Sequence, residues 1–407
     1  MPFISLKKGS KYLWFIVLCP VAYTLRDLAF KLLFKNKFTK QPMVVSSIMF
    51  IGECLAGIHT LISWCLTPKK NEKKKGVVLN SSHIDNSMRN NINFYSLRRT
   101  KTLLLIALSS FIDLVCYTST SYMTKFPFIQ TNNIHTEMRI TPIFFMSLLS
   151  WKFFLFEIYN HHKVAILTMI IGFISLGVNI MIIFKDTDDF RYYHLFLFLF
   201  IHTFYSVKTF NDKYIMEKYF ITPYVLLLCQ GVFGLFVCLC YISFLSLFND
   251  TNRSKYFPYF ENDSFVKIAD IFNNPNILGC LLLLAVTGCF VNIVLMLTKK
   301  FLTPTHRSIA DSLNAFCTWL VWLTYYTDKD FWKNEWNWVK YFDIIGYILI
   351  TLGCLMYNEL IIVHVCGLDK DIKEHIEKRA DQEIRETILF PISEIEPGEF
   401  DDNAVNN

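Results

Sequence analysis

Two stretches decide how this chain reads: Arg139-Ile-Thr-Pro-Ile-Phe-Phe-Met-Ser-Leu-Leu-Ser-Trp151 and Arg307-Ser-Ile-Ala-Asp-Ser-Leu-Asn-Ala-Phe-Cys-Thr-Trp319. Each opens an apolar span on arginine and reaches tryptophan twelve residues later. The next spans echo again: Ile-Ile-Gly-Phe at Ile170 to Phe173 with Gly177 beyond, against Ile-Ile-Gly-Tyr at Ile344 to Tyr347 with Gly353 beyond. Apolar spans are expected near 12–34, 43–66, 102–124, 139–157, 163–184, 193–213, 222–248, 277–301, 305–326 and 341–363. They divide five and five, with the echoing spans fourth and fifth in each group. Five crossings is an odd number, so a second copy must insert upside down, as in many secondary carriers. The expected fold is an all-α membrane protein of ten transmembrane helices arranged as two inverted five-helix repeats.

Composition agrees with a membrane solvent. Hydrophobic residues make up 53% of the 407 residues, Phe alone contributes 39, and only 18% are charged, which excludes an ordinary soluble domain. Apolar runs of roughly 20 residues suffice to cross a hydrocarbon core of about 30 Å. Lipid offers no partner for open backbone groups, so helices are the expected solution, and the alternation of a membrane barrel is absent. The first span carries Arg26, Asp27 and Lys31 with no small-residue cleavage site after it, so it reads as a retained helix.

Charge placement sets the expected topology. Lys69, Lys70, Lys73, Lys74, Lys75, Arg89, Arg98, Arg99 and Lys101 crowd the connection at 67–101, which marks it cytoplasmic and puts both termini inside. Its Asn- and Ser-rich surroundings lack interleaved aromatics, which favours a solvated loop beside anionic lipid over a nucleic-acid patch. Glycosylation sequons at Asn249, Asn252 and Asn262 fall in the connection at 249–276, on the expected luminal face. A fourth sequon, at Asn80, lies in the cytoplasmic connection and is expected to go unused. Lys35, Lys37 and Lys40 run against this topology, crowding a short connection assigned to the outside. The organisation is thus a first repeat over 1–184, a second over 185–366 and an acidic cytoplasmic tail over 367–407. The sequons favour an endomembrane, Golgi or lysosome- or vacuole-like, over the plasma membrane.

An ionisable side chain at mid-membrane costs on the order of 3 kcal/mol to insert, so such residues need a watery cavity, a partner or an outward path. Glu53 and Asp113 each lie about ten residues into a span, while Lys208 sits in the sixth, and Arg307 and Asp311 lead the ninth. Arg139 stands at the luminal end of span four and Arg307 at the cytoplasmic end of span nine, placed to flank a central path from opposite sides. Substrate-binding or gating residues are therefore expected among Glu53, Asp113, Arg139, Lys208, Arg307 and Asp311. The competing reading of Arg307 and Asp311 is a pair within one helix, four residues apart. Lys31, Asp212, Lys213 and Glu359 read as anchors that snorkel from span ends. His161 and His162 read as solvated in a short connection, and His202 as a core histidine. Gly52, Gly57, Gly172, Gly177, Gly231 and Gly234 read as points of close helix approach. Pro142 allows either a bend or harmless first-turn placement. Nearly all of the 12 cysteines fall in spans without metal-ligand spacing, so neither metal nor cofactor is expected.

These residues resemble the drug/metabolite transporter superfamily, and within it the nucleotide-sugar-transporter-like solute carrier family 35, F subgroup. Gly52-Glu53-Cys54-Leu55 is similar to the subgroup's Gly-Glu pattern, and Asp113 with Thr118 and Ser119 to its Asp-x-x-x-small segment. Arg139 to Leu149 with His162 and Gly172 is similar to its fourth and fifth spans. Arg307, Asp311, Ser312 and Trp319 are similar to its ninth, and Lys213, Pro223, Gly231 and Gly234 to the end of its sixth and start of its seventh. The resemblance covers roughly residues 10–365 without the two long connections. Asn211-Asp212, Gln230 and Asn314 depart from it: the subgroup tends to carry two acids at the first place, an acid at the second and a base at the third.

The resemblance implies a carrier working by alternating access on a small polar or anionic organic solute. Expected partners are that solute and the lipid bilayer, with a homodimer allowed and nucleic acid excluded. An enzyme is not expected. A membrane-embedded transferase would need its acids and histidines at one interface, but His161-His162 and Asp186-Asp188-Asp189 fall on opposite faces. A non-transporting scaffold or receptor of the same fold is the alternative. No Gly-x-x-x-x-Gly-Lys-Ser/Thr loop is present, so transport would run by exchange or on an ion gradient.

Overall fold

The computed structural model describes residues 4–6, 14–35, 41–66, 100–123, 142–153, 159–185, 192–258, 260, 263–265, 268–269, 273–301, 304–324, 340–364 and 372. Among them the chain forms eleven helices and one two-stranded ribbon. The helices are α1 (Trp14–Lys35), α2 (Pro42–Leu66), α3 (Thr100–Met123), α4 (Pro142–Phe153), α5 (Asn160–Lys185) and α6 (Tyr192–Lys218). After them come α7 (Pro223–Ser246), the short α8 (Asp250–Tyr256), α9 (Pro275–Phe301), α10 (Pro304–Thr324) and α11 (Lys340–Tyr357). Five helices, α2, α4, α7, α9 and α10, start on proline. The first helical position needs no N–H donor, and the ring presets φ for the helix.

Four helical stretches are long and apolar enough to cross a membrane: Thr100–Tyr122, Asn160–Val178, Pro223–Ser246 and Pro275–Phe301. Their outward faces carry Leu104, Phe111, Leu167, Ile174, Val232, Phe236, Leu282 and Val286 exposed, while Asp113, Lys208, Asp212 and Arg307 are buried. A molecule with aliphatic and aromatic residues outside and charges inside is solvated by lipid, not water. The protein is membrane-embedded, and its described body is helical apart from the short ribbon.

Helix packing follows the glycines. Helix α5 lies antiparallel on α11, with Ser175 Oγ donating to the Phe342 carbonyl at 2.8 Å. A Cβ on Gly172 would come 2.9 Å from the Gly346 carbonyl oxygen, and a Cβ on Gly346 would come 2.9 Å from that of Gly172. The two glycines therefore face one another at the crossing. Gly353 meets the Ala165 carbonyl in the same way at 2.8 Å. On the other side of the bundle α2 packs on α7, where a Cβ on Gly231 would come 2.8 Å from the Cys54 nitrogen and 2.9 Å from the Phe50 oxygen. Gly52 lies against the Ala285 carbonyl of α9. Gly177 is different: nothing lies within 4 Å of its added Cβ, so it is no point of close approach. Other close pairs are α1 with α9 and α10, α3 with α6, α2 and α7, α2 with α9, α10 with α11, and α4 with α6 and α10.

Two span ends differ clearly from the sequence expectation. Helix α6 continues to Lys218, past the expected limit of 213, because Ile215 and Met216 extend its packed face. The last span stops at Tyr357, short of the expected 363. Leu360 N donates to Leu355 O and Glu359 N to Met356 O, a stop with Glu359 at φ 55. The β-branched run that follows forms β2 (Ile361–Val363), antiparallel to β1 (Ile4–Leu6). Within the connection at 249–276 the chain forms α8, and Asp263 accepts the Met43 N–H at 3.2 Å. That carboxylate meets the partial positive charge of the α2 N-terminus.

Candidate functional site

Helix α6 presents Tyr205, Lys208, Thr209 and Asp212 at i, i+3, i+4 and i+7, so they share one face. Helix α3 offers Ser109, Asp113 and Tyr117 at intervals of four. The packing of α3 on α6 turns these polar stripes toward one another, and α9 adds Lys299.

The result is a buried ionic network. Lys208 Nζ is 2.5 Å from Asp113 Oδ2 and 3.6 Å from Asp212 Oδ2, and Lys299 Nζ is 2.5 Å from Asp212 Oδ2. Asp212 Oδ1 also accepts from Ser109 Oγ and Gln230 Nε2, both at 2.7 Å. Asn211 Nδ2 donates to Ser109 Oγ at 3.0 Å, and Ser110 Oγ to the Gln230 carbonyl at 2.8 Å, which ties α3, α6, α7 and α9 together. Side-chain exposure is 6% for Lys208, 2% for Lys299 and 0% for both aspartates, so water screens none of these pairs. Two ammonium groups against two carboxylates balance the formal charge, as a buried site requires.

Two further groups flank this network. Tyr117 OH donates to Glu53 Oε1 at 2.9 Å, joining α3 to α2. Arg307 of α10 donates to Thr209 Oγ1 at 2.5 Å, lies 4.2 Å from the centre of the Tyr205 ring, and is 3.4 Å from Asp311. Its place beside α6 depends on Thr209 and Tyr205 sitting one step around the helix from Lys208. Glu53 Oε2, Asp113 Oδ1 and Arg307 Nη2 are buried with no hydrogen-bond partner among the described residues. Hydrogen-bonding capacity of both signs is therefore unspent along this line.

Of the six expected site residues, Asp113 and Lys208 touch directly. Glu53 borders them through Tyr117, and Arg307 and Asp311 pair within α10 while packing on α6. Arg139 lies outside the described residues, as do Asn262 and the connection at 67–99. Asn249 and Asn252 are exposed. Among the anchoring assignments, Lys213 keeps that character, pairing with Glu217 at 2.9 Å and donating to the Lys300 carbonyl at 3.3 Å. Asp212 is no anchor: α6 runs on for six residues beyond it, so it sits inside the bundle with 0% exposure. Glu359 is no anchor either, since it lies 3.4 Å from His161. His161 and His162 are buried in the first turn of α5, not solvated, because the α11 end folds over them. His202 is a core histidine at 6% exposure.

Lys299 was not singled out by sequence, and Gln230 only as a departure from the family pattern. Lys299 lies two residues from the end of α9, where snorkelling is the default. The signal that could have recovered Asp212 is the i, i+3, i+4, i+7 polar stripe of α6.

No family model matches the chain, and no curated protein does. Matches are found among solved structures. One, a crystal structure, is similar with a TM-score of 0.51 at 10% sequence identity, covering 87% of this chain and 98% of its own. At that identity the likeness concerns the fold alone.

Proposed function

We propose that this protein is a secondary transporter that moves a small polar or anionic organic solute across an endomembrane by alternating access. The observation that carries this reading is the buried line of Glu53, Asp113, Lys208, Asp212, Lys299 and Arg307 inside a lipid-solvated bundle. Charged groups in that setting mark solute or ion pathways. Unmet oxygens on Glu53 and Asp113 and the unmet nitrogen on Arg307 suit a solute bearing both donors and an anionic group.

The architecture belongs to the same proposal: ten crossings in two inverted five-helix repeats. Exchange of each helix of α1–α5 with its counterpart among α6, α7, α9, α10 and α11 supports it. The exchange turns the α1–α9 contact into α6–α3, α2–α9 into α7–α3, and α1–α10 into α6–α4, and all of these pairs pack. The pairs α2–α7, α5–α11 and α4–α10 map onto themselves. Gly172 and Gly346, matched in the Ile-Ile-Gly echo, meet reciprocally, as a two-fold axis between α5 and α11 requires. Alternating sidedness is supported by the pairing of β1, before the first helix, with β2, after the last, and by Asp263 reaching Met43. The assignment to the nucleotide-sugar-transporter-like solute carrier family 35 rests on the motif resemblance alone.

Purified protein in proteoliposomes, offered a panel of nucleotide sugars, amino acids and drug-like cations, is expected to give saturable uptake of at least one class. Asp113→Asn is expected to lower that uptake by about tenfold or more, since it removes one unit of a balanced pair worth over 1.4 kcal/mol. Wild-type rates in that variant would remove the site from the pathway.

A second reading, a non-transporting scaffold, draws on the way Asp212 is fully engaged by Lys208, Lys299, Ser109 and Gln230. Folded protein with no saturable flux across the panel favours it. Sidedness has its own check: with N-glycosylation on the expected face, Asn249→Gln with Asn252→Gln speeds gel migration of protein made in a secretory host.

A further inference from the structure

Away from the ionic network, the start of α5 and the end of α11 bring together His161, His162 and Glu359. One side-chain donor atom from each lies within 4.8 Å of the other two, and all three residues stand together at this helix junction. We propose that His161, His162 and Glu359 form a site for a divalent transition metal ion of the zinc class, clipping α5 to α11.

Four observations carry this. First, His161 Nε2 and Glu359 Oε1 are 3.4 Å apart. Two donors each about 2.1 Å from a tetrahedral zinc ion stand about 3.4 Å from one another, so this pair already spans one edge of the polyhedron. Second, both ring nitrogens of His161 are buried with no hydrogen-bond partner among the described residues, a costly state that a metal bond would relieve at one of them. Third, Glu359 occupies the position after a helix end with φ 55, where glycine is the unstrained choice. The backbone there holds a carboxylate at a cost of roughly 1–2 kcal/mol, and that carboxylate meets His161. Fourth, a small hollow lined by His161, Glu359, Met356, Ile361, Ile362 and Ile372 borders the pair, leaving room for a fourth, water ligand. Two histidines and a glutamate are a donor set that zinc accepts with one open position.

The three donors are unequal. His162 Nδ1 accepts the Tyr159 N–H at 3.2 Å, and that bond must yield for the ring to join the metal with its other nitrogen protonated. His161 Nε2 and Glu359 Oε1 already face one another at 3.4 Å. They are the primary ligands and His162 the adjusting one.

The test uses full-length protein in detergent with any affinity tag removed and metal stripped by chelator. Titration with Co²⁺ is expected to give the intense visible bands of a four-coordinate ion at one equivalent, and Zn²⁺ should displace it. Zn²⁺ should also raise the thermal unfolding midpoint of the wild type. Loss of an outer-shell partner costs about 10–100-fold in metal affinity, so His161→Ala and Glu359→Gln should lose at least that much and His162→Ala less. Glu359→Gly guards against misfolding: it relieves the left-handed backbone, so the metal-free form should be at least as stable as wild type while Co²⁺ binding disappears. Folded wild type giving no Co²⁺ bands and no Zn²⁺-dependent shift overturns the proposal. So does binding that survives in both His161→Ala and Glu359→Gly. None of these readouts depends on transport.

Discussion

Replacing Asp212 by alanine is expected to destabilise the protein by about 3–5 kcal/mol, the cost of leaving a buried partner charge unpaired. Lys299 has its 2.5 Å contact with Asp212, and the same carboxylate holds Ser109 and Gln230. Its removal strands an ammonium group at 2% exposure and takes away one polar link from α6 to each of α3, α7 and α9. Lys208 keeps Asp113, so Lys299 is the group left alone. Combining Asp212→Ala with Lys299→Ala should therefore recover part of the loss, because the second change removes the stranded charge. Thermal or denaturant unfolding in detergent reads both effects. Equal loss in the single and double variants would show that Lys299 gains nothing from Asp212.

The second large effect lies at the α5–α11 crossing. Gly172→Val is expected to cost about 3 kcal/mol, at the upper end for overpacking, because its first added carbon meets backbone. That carbon falls 2.9 Å from the Gly346 oxygen and 2.7 Å from Ile350 Cγ1, so the helices must separate. Gly346→Val should cost a similar amount, and the double variant less than the sum, since helices already parted by one valine accommodate the other. Gly177→Val provides the control on the same helix, with nothing within 4 Å of its added carbon, and should change stability little. Equal effects at Gly172 and Gly177 would contradict the crossing.

Much of this was legible in one dimension. The helical runs were legible because stretches of about 20 apolar residues suffice to cross the hydrocarbon core. Glu53, Asp113 and Lys208 stood out because an ionisable residue in an apolar run needs an explanation irrespective of its neighbours. Asp212, Lys299 and Glu359 did not, as all three sit near where an apolar run ends. Sequence cannot distinguish a side chain that snorkels to water from one that another helix covers. Helix α6 extends beyond its apolar stretch, which turned an apparent boundary residue into the centre of the network. The equivalence of Gly172 and Gly177 failed for a related reason. Both are small, but only one faces a partner helix.

The sequence by itself determined the solvent of this protein, its helical class and the Ile-Ile-Gly echo, because apolar content, run length and local motifs act through the chain's own covalent order. Which charges meet was decided only in three dimensions. Asp113 and Lys208 are 95 positions apart in the chain (208 − 113), and Asp212 and Lys299 are 87 apart. No local propensity links such residues. The stripes of α3, α6 and α9 come together because lipid leaves buried charge no other partner.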